Sequence, residues 1–393
     1  MAGPSFLVES CRNIRFTPAI IFSGVPVMPF TQQIDIGSSY RDVTADDILA
    51  RIAARKAELA DRLLILCHHY QQDAVHQFAD LTGDSLKLAR EAARCADKTW
   101  LVFCGVHFMA ESADILAREG QAVLLPHLAA GCPMADMASR PALAEAWRQL
   151  GTVLGDAALA RTIPITYVNS SAAVKAFVGE HGGAVCTSAN AERVLAWALD
   201  QGERAFFVPD QHLGRNSAMA LGLADEELAL WRRGEPGGGN GDAALRRARV
   251  LLWDGGCEVH LRYQPDHVLA WRRRDPNAQV IVHPESRHEV VRLADQYGST
   301  EAIIQAVTQS PPGSHWVIGT EVNLVRRLAQ RFPDRRISEL APGCLCPTMD
   351  LIDPAHLLWT LDQLAQGRLP NRVRVAADIA RPASLALERM LSI

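Results

Sequence analysis

The chain has 393 residues, 48% hydrophobic and 21% charged, with a formal net charge of −4. That is enough apolar sequence for two or three domains with sizeable cores, and the slightly acidic balance argues against nucleic acid as a partner. No run reaches the ~18 apolar residues of a membrane span, so no membrane association is expected.

Residues 1–45 are rich in Pro, Gly and Ser and read as an irregular N-terminal arm. Within it, the stretch from Pro18 to Phe30 is apolar and follows Arg12 and Arg15, but Pro18, Pro26 and Pro29 break it and no small-residue cleavage site follows. It reads as an extended arm on the core rather than a signal peptide, and a cytoplasmic location is expected. From Ala45 to Ala60, Asp46 and Asp47 precede a face of Ile48, Leu49, Ile52 and Leu59, which predicts a helix.

The apolar run from Leu63 to Leu66 then predicts a strand buried on both faces, as in a parallel sheet. His68-His69-Tyr70-Gln71 follows at its carboxyl end, the edge where open α/β sheets bind ligands. A helix opening at Gly83-Asp84-Ser85 and a second strand, TWLVF, complete a first unit. A second unit reads IPITYV-NSS, Cys186-Thr187-Ser188 before a helix, and RAFFV. A third reads QVIV-HPES, Gly298-Ser299-Thr300 before a helix, and HWVI. From the first strand's end (66, 168, 282) to the hydroxyl residue (85, 188, 300) is 19, 20 and 18 positions. Each unit is a strand–helix–strand crossover, the building block of parallel sheets. The expected fold is therefore α/β: three small three-layer αβα domains with parallel sheets, in pseudo-threefold arrangement around a central cavity. Their expected bounds are 46–140, 141–256 and 257–393, the last including a C-terminal segment. The Gly-rich sequence around 222–248 reads as a surface insertion in the second. The run Trp271-Arg272-Arg273-Arg274 reads as a solvated helix face.

Nine cysteines in a chain of this size do not read as a disulfide framework. One per unit, however, follows the second strand at a comparable distance once the insertion is discounted: Cys132, Cys257 and Cys346. Three thiolates meeting at one point suit zinc, with a fourth ligand or an open catalytic position, or an iron–sulfur cluster with one iron free of protein ligands. Ser85, Ser188 and Thr300 fall at expected helix N-termini, where free N–H groups favour carboxylate or phosphate, although hydroxyls there also serve as plain caps. His68, Tyr70, Tyr167, Asn169, His260, His283 and Glu285 supply hydrogen-bond donors and proton carriers. No phosphate-binding glycine loop, serine-hydrolase elbow or zinc-protease motif is present. A cluster-bearing sensor and a zinc-dependent aldolase or dehydratase remain alternative classes.

The stretches HHYQ (68–71), GDS (83–85), CGVHFMAESADIL (104–116), YVNSSAAVKA (167–176), CTSANA (186–191), PDQHLGRN (209–216), CEVH (257–260), HPES (283–286), ADQYGST (294–300) and CPTM (346–349) resemble the quinolinate synthase family of bacterial NAD biosynthesis, in the family's order. The resemblance implies three α/β domains and a [4Fe–4S] cluster on Cys132, Cys257 and Cys346. It implies condensation of iminoaspartate with dihydroxyacetone phosphate to quinolinate, with loss of phosphate and water, and functional coupling to an iminoaspartate-producing enzyme. His68, Ser85, Tyr167, Asn169, Ser188, His283 and Thr300 would bind substrate, and Tyr70, Glu285 and His260 would be catalytic. Thr348 stands where the family commonly carries an aromatic residue, and Cys344-Leu-Cys346 replaces the wider cysteine spacing of some members.

Overall fold

A computed structural model describes residues 36–95 and 97–393. The expected extended arm and Cys11 lie outside the described residues. Residues 36–45, read as irregular, contain the one-turn helix Ser38–Arg41, and Tyr40 donates its hydroxyl to Asp362 at 3.0 Å. The predicted helix is Ala45–Leu59; Thr44 caps it by accepting the Asp47 N–H at 3.2 Å.

Three sheets follow one plan. The first holds β1 (Leu63–His68), β2 (Leu81–Gly83), β3 (Trp100–Cys104) and β4 (Ala122–Leu124). The second holds β5 (Thr162–Tyr167), β6 (Ala184–Cys186), β7 (Arg204–Val208), β8 (Leu228–Trp231) and β9 (Val250–Trp253). The third holds β10 (Gln279–Val282), β11 (Gln296–Tyr297), β12 (His315–Gly319) and β13 (Arg336–Glu339). Their orders are β2-β1-β3-β4, β6-β5-β7-β9-β8 and β11-β10-β12-β13, and every pairing among these strands is parallel. The chain is thus an α/β protein with three sheets of predominantly parallel strands. β1, β3, β7 and β9 are buried throughout, because helical crossovers cover both faces of a parallel sheet. In the third sheet the alternation is explicit: Val280, Val282 and Val317 enter one core and Ile281, Trp316 and Ile318 another.

Three local expectations change. The first strand runs two residues past Leu66, because Cys67 and His68 still pair with Thr82 and Gly83 of β2. The sequence around 222–248 is more than a surface insertion. It supplies β8, a fifth parallel strand beside β9, and it buries Trp231 and Leu245. In the basic run, Arg273 and Arg274 are exposed, but Arg272 pairs with Asp295 at 2.8 Å and donates to the Ala278 carbonyl at 3.1 Å.

The C-terminal segment returns to the first two sheets. β14 (Arg372–Val373) pairs antiparallel with β4, and the helix Ala377–Ser392 lies against the helix Ala172–Glu180. The two helices approach so closely at Gly179 that a Cβ there would collide with the Pro382 carbonyl, whose carbon is 2.9 Å from that position. Gly179→Ala should therefore destabilise the protein by about 1–3 kcal/mol and lower its thermal midpoint. An unchanged midpoint would show that the helices can separate at no cost.

Candidate active site

The pairing register shows that the three strand ends are equivalent residue by residue. Cys67, Thr166 and Val282 pair with both flanking strands: with Thr82 and Cys104, with Val185 and Val208, and with Tyr297 and Gly319. One residue further along stand His68, Tyr167 and His283; two beyond those stand Tyr70, Asn169 and Glu285. Three residues past the paired positions of the neighbouring strand stand Ser85, Ser188 and Thr300. Each sheet's fourth repeated strand (β4, β9 or β13) is followed by a loop bearing Cys132, Cys257 or Cys346. The carbonyl of each cysteine accepts the N–H four residues on, at 3.2, 2.9 and 3.2 Å, so each opens a helical turn.

All thirteen of these residues named from the sequence, His260 included, line one cavity with about 840 Å³ of space free of protein atoms, part of it open to solvent. Apolar walls come from Val106, Phe108, Met109, Met134 and Met349. Apolar surroundings with a few convergent polar groups are the usual make-up of a small-molecule site.

Glu285 is the most constrained polar group there. It is 3% exposed and accepts a 2.5 Å hydrogen bond from the Tyr167 hydroxyl. His283 and His260 stand 3.6 and 3.8 Å from its oxygens, beyond hydrogen-bond reach, and their rings stack with centroids 4.3 Å apart. Burial pushes His260 down to about 3 and His283 well below its usual range, so neither imidazole carries charge at neutral pH. Burial therefore raises Glu285 to about 7, against the opposing hydrogen bonds of Tyr167 and Cys257.

Two histidines share a tautomer fixed by the backbone. The N–H of Tyr70 donates to His68 Nδ1 at 3.2 Å, and the N–H of Glu285 to His283 Nδ1 at 3.4 Å. With Nδ1 accepting, the proton of the neutral ring sits on Nε2, which makes that atom a donor. Burial, reinforced by His69, His76 and Arg327, holds His68 down at about 3. The Tyr70 hydroxyl accepts from Thr300 at 3.1 Å and lies 2.8 Å from Thr320 Oγ1. Burial and the Glu285 charge raise its pKa well above the usual value.

The three hydroxyl positions are not plain caps. Asp84 caps the helix Ser85–Arg94, and Ser299 caps the helix Thr300–Gln309, so Ser85 and Thr300 are first-turn residues with that duty done by a neighbour. Ser188 departs from expectation. It sits in the turn before the helix Ala191–Gln201, because Asn190 takes the N-cap position and binds back to Thr187.

The three thiols are metal-ligating groups on one cavity wall. Burial raises Cys132, Cys257 and Cys346, and the nearby Cys346 and Glu285 raise the first two further. Such a group becomes a set of thiolates when a metal supplies the balancing charge. Ligand atoms of Cys257, His260 and Glu285 lie within 4.8 Å of one another, close enough to share a metal ion. Two buried polar atoms at the cavity, His260 Nδ1 and Asn169 Oδ1, lack a protein partner among the described residues. Thr348 contacts the Cys346 sulfur through its hydroxyl at 3.6 Å. Cys344 is buried against the Ala341 carbonyl and is not part of the cavity wall. The described cysteines are all free thiols.

Thr320, whose hydroxyl lies 2.8 Å from that of Tyr70, belongs to none of the motifs above. A polar residue immediately after the buried β12 was the available signal. Thr187 and Asp84 also stand on the cavity wall, both beside residues already singled out. Among the described residues no helix is long and apolar enough to cross a membrane.

The sequence is similar to known proteins over most of its length. A quinolinate synthase of Streptomyces coelicolor is 53% identical over 352 residues, covering 88% of each chain. One from Herpetosiphon aurantiacus is 50% identical over 356 residues, 90% of this chain and 94% of that one. One from Bacillus subtilis is 49% identical over 358 residues, 90% and 95%. Residues 50–392 match the family model described as Quinolinate synthetase A protein, and on that match and these identities the chain belongs to the quinolinate synthetase A protein family.

Proposed function

We propose that this enzyme condenses iminoaspartate with dihydroxyacetone phosphate to give quinolinate, releasing phosphate and two molecules of water, as a step of de novo NAD biosynthesis in the cytoplasm. The observation that carries this reading is the cavity itself, where three equivalent strand ends bring anion-binding groups, proton carriers and three thiols together. The free thiols suit a reducing compartment. An iminoaspartate-producing enzyme is the expected functional partner, and nucleic acid is not. The proposed organisation is three domains, one about each sheet, bounded near 46–140, 141–256 and 257–393, in pseudo-threefold arrangement about the cavity.

Cys132, Cys257 and Cys346 would hold a [4Fe–4S] cluster, which leaves one iron to supply Lewis acidity toward a substrate oxygen. The protein's own groups do the rest. The Nε2–H donors of His68 and His283, the hydroxyls of Ser85 and Ser188, and the Asn169 amide bind the carboxylates and the phosphate, and Thr300 stands beside them with its hydroxyl on Tyr70. Neutral donors in a buried site hold these anions firmly and still let phosphate leave. A carbon–carbon bond forms between the enamine carbon of iminoaspartate and the triose. Glu285, anchored by Tyr167, takes a proton from carbon during dehydration. Tyr70, set between Thr300 and Thr320, delivers a proton to the departing oxygen. His260, stacked on His283 and 3.8 Å from Glu285, would be the third catalytic group on the cavity wall. Ring closure through nitrogen with loss of water gives the pyridine.

The proximity of Cys257, His260 and Glu285 supports a second reading, a zinc-dependent dehydratase. Metal analysis of anaerobically purified protein separates the two, with iron near four per chain expected for a cluster.

Replacing Cys132, Cys257 or Cys346 by Ser should remove the brown visible absorbance, most of the iron and the turnover together. Full turnover by anaerobic Cys132→Ser protein would sink the cluster's role. Glu285→Gln should keep the KM values near those of the wild type and lower kcat about 10²–10⁴-fold. A Glu285→Gln enzyme turning over at the wild-type rate would remove Glu285 from proton transfer.

A further inference from the structure

Behind the cavity, each strand-end loop is gripped by one side chain through the two carbonyls that flank its central residue. Around Tyr70, Arg327 of the helix Val322–Arg331 donates Nη1 to the His69 carbonyl at 2.8 Å and Nη2 to the Gln71 carbonyl at 2.5 Å. Asn323 of the same helix holds the Tyr70 carbonyl at 3.1 Å. Around Glu285, Asn216 of the helix Gln211–Ala220 donates Nδ2 to the Pro284 and Ser286 carbonyls at 2.7 and 2.9 Å. Around Asn169, Lys175 of the helix Ala172–Glu180 donates Nζ to the Val168 and Ser170 carbonyls at 2.8 and 2.5 Å. Asn216 and Lys175 are buried. None of the three side chains is part of the cavity wall.

The recurrence carries the argument. Tyr70, Asn169 and Glu285 are the register-equivalent positions of the three sheets, and the three gripping groups are chemically different: a guanidinium, an ammonium and an amide. What they share is two N–H bonds that straddle one residue. Peptide planes are rigid, so anchoring the carbonyls on both sides restricts the torsions between them and the direction of the central side chain. Two grips also cross between sheets. A helix following β12 of the third sheet holds a loop of the first, and a helix following β7 of the second holds a loop of the third.

We propose that Arg327, Asn216 and Lys175 are positioning residues that aim Tyr70, Glu285 and Asn169, respectively, at the substrate. The proposal rests on the reaction assigned above. Its signature is a split in the kinetics. Tyr70 and Glu285 move protons, so loss of their grips lowers kcat; Asn169 binds, so loss of its grip raises KM.

The test compares Arg327→Met, Asn216→Ala and Lys175→Met in iron-loaded protein, with Arg55→Ala as a control that removes a remote ion pair to Asp362. Displacing a reacting group by an ångström costs about 10²-fold. Arg327→Met and Asn216→Ala should lose kcat on that order with little change in KM. Lys175→Met should raise the KM for a substrate more than it lowers kcat. Amide hydrogen exchange at 69–71, 285–286 and 168–170 should quicken in the corresponding variant alone. Arg55→Ala should lower the melting temperature and leave both kinetic constants unchanged. If Arg327→Met is insoluble, Arg327→Lys, which keeps the charge without the fork, should fold with reduced kcat. Variants with wild-type kcat and KM, or with unchanged exchange at these loops, would overturn the proposal. A wild-type enzyme that makes no quinolinate would instead overturn the assigned reaction, and exchange alone would then decide the grips.

Discussion

A buried carboxylate that faces no cation among the described residues sets the character of this site. Glu285 keeps one strong hydrogen bond, from Tyr167, and lies among neutral imidazoles and thiols. A protonated histidine here would neutralise the carboxylate and make it a weak base. Burial prevents that by holding His68 and His260 near 3. The same burial raises the Glu285 pKa toward the middle of the pH scale, the range in which a carboxyl group can both accept and return a proton. The bond from Tyr167 to Glu285 also joins the edge of the second sheet to that of the third. The electrostatics of the site therefore depend on two sheets staying in register.

The fold supplies that register by repetition. Three sheets with the same order of four strands bring the same set of positions to their carboxyl edges. Two of the positions carry the same local device, a histidine Nδ1 accepting the amide two residues on, which turns Nε2 outward as a donor. The third carries Tyr167 instead. The substitution breaks the symmetry, and the Tyr167 hydroxyl donates to Glu285. A repeated scaffold with unequal side chains gives an asymmetric substrate distinct partners on each side.

Elements outside the repeats close the structure. The helix Ala45–Leu59 is tied to the helix Pro354–Ala365 by Arg51 and Arg55, which both reach Asp362, at 3.1 and 2.6 Å. Asp362 is largely buried, so it favours paired guanidinium groups over solvent. Downstream, β14 extends the first sheet, and the final helix packs on the second sheet's helix Ala172–Glu180, the helix that also carries Lys175. The C-terminal segment therefore braces the helix whose ammonium holds the Asn169 loop.

Local sequence was enough to determine the α/β class, the three strand–helix–strand units and thirteen of the residues that line the cavity. Buried parallel strands announce themselves as continuous apolar runs, and their ends as abrupt polar clusters such as His68–Gln71 and His283–Glu285. The motifs that resemble the family added the cluster and the reaction as expectations. Other features had no local signature. Ser188 looked like a helix start because the competing cap, Asn190, is as short and polar as a serine. The Gly-rich stretch hid β8, since a lone edge strand gains its stability from pairing with β9. The grips of Arg327 and Asn216 join residues more than sixty positions apart through backbone carbonyls, groups that every residue possesses, so no side-chain pattern reveals them. Tertiary structure alone decided which carbonyls they meet, because only packing of the helices against the strand ends brings those donors within 3 Å of their acceptors.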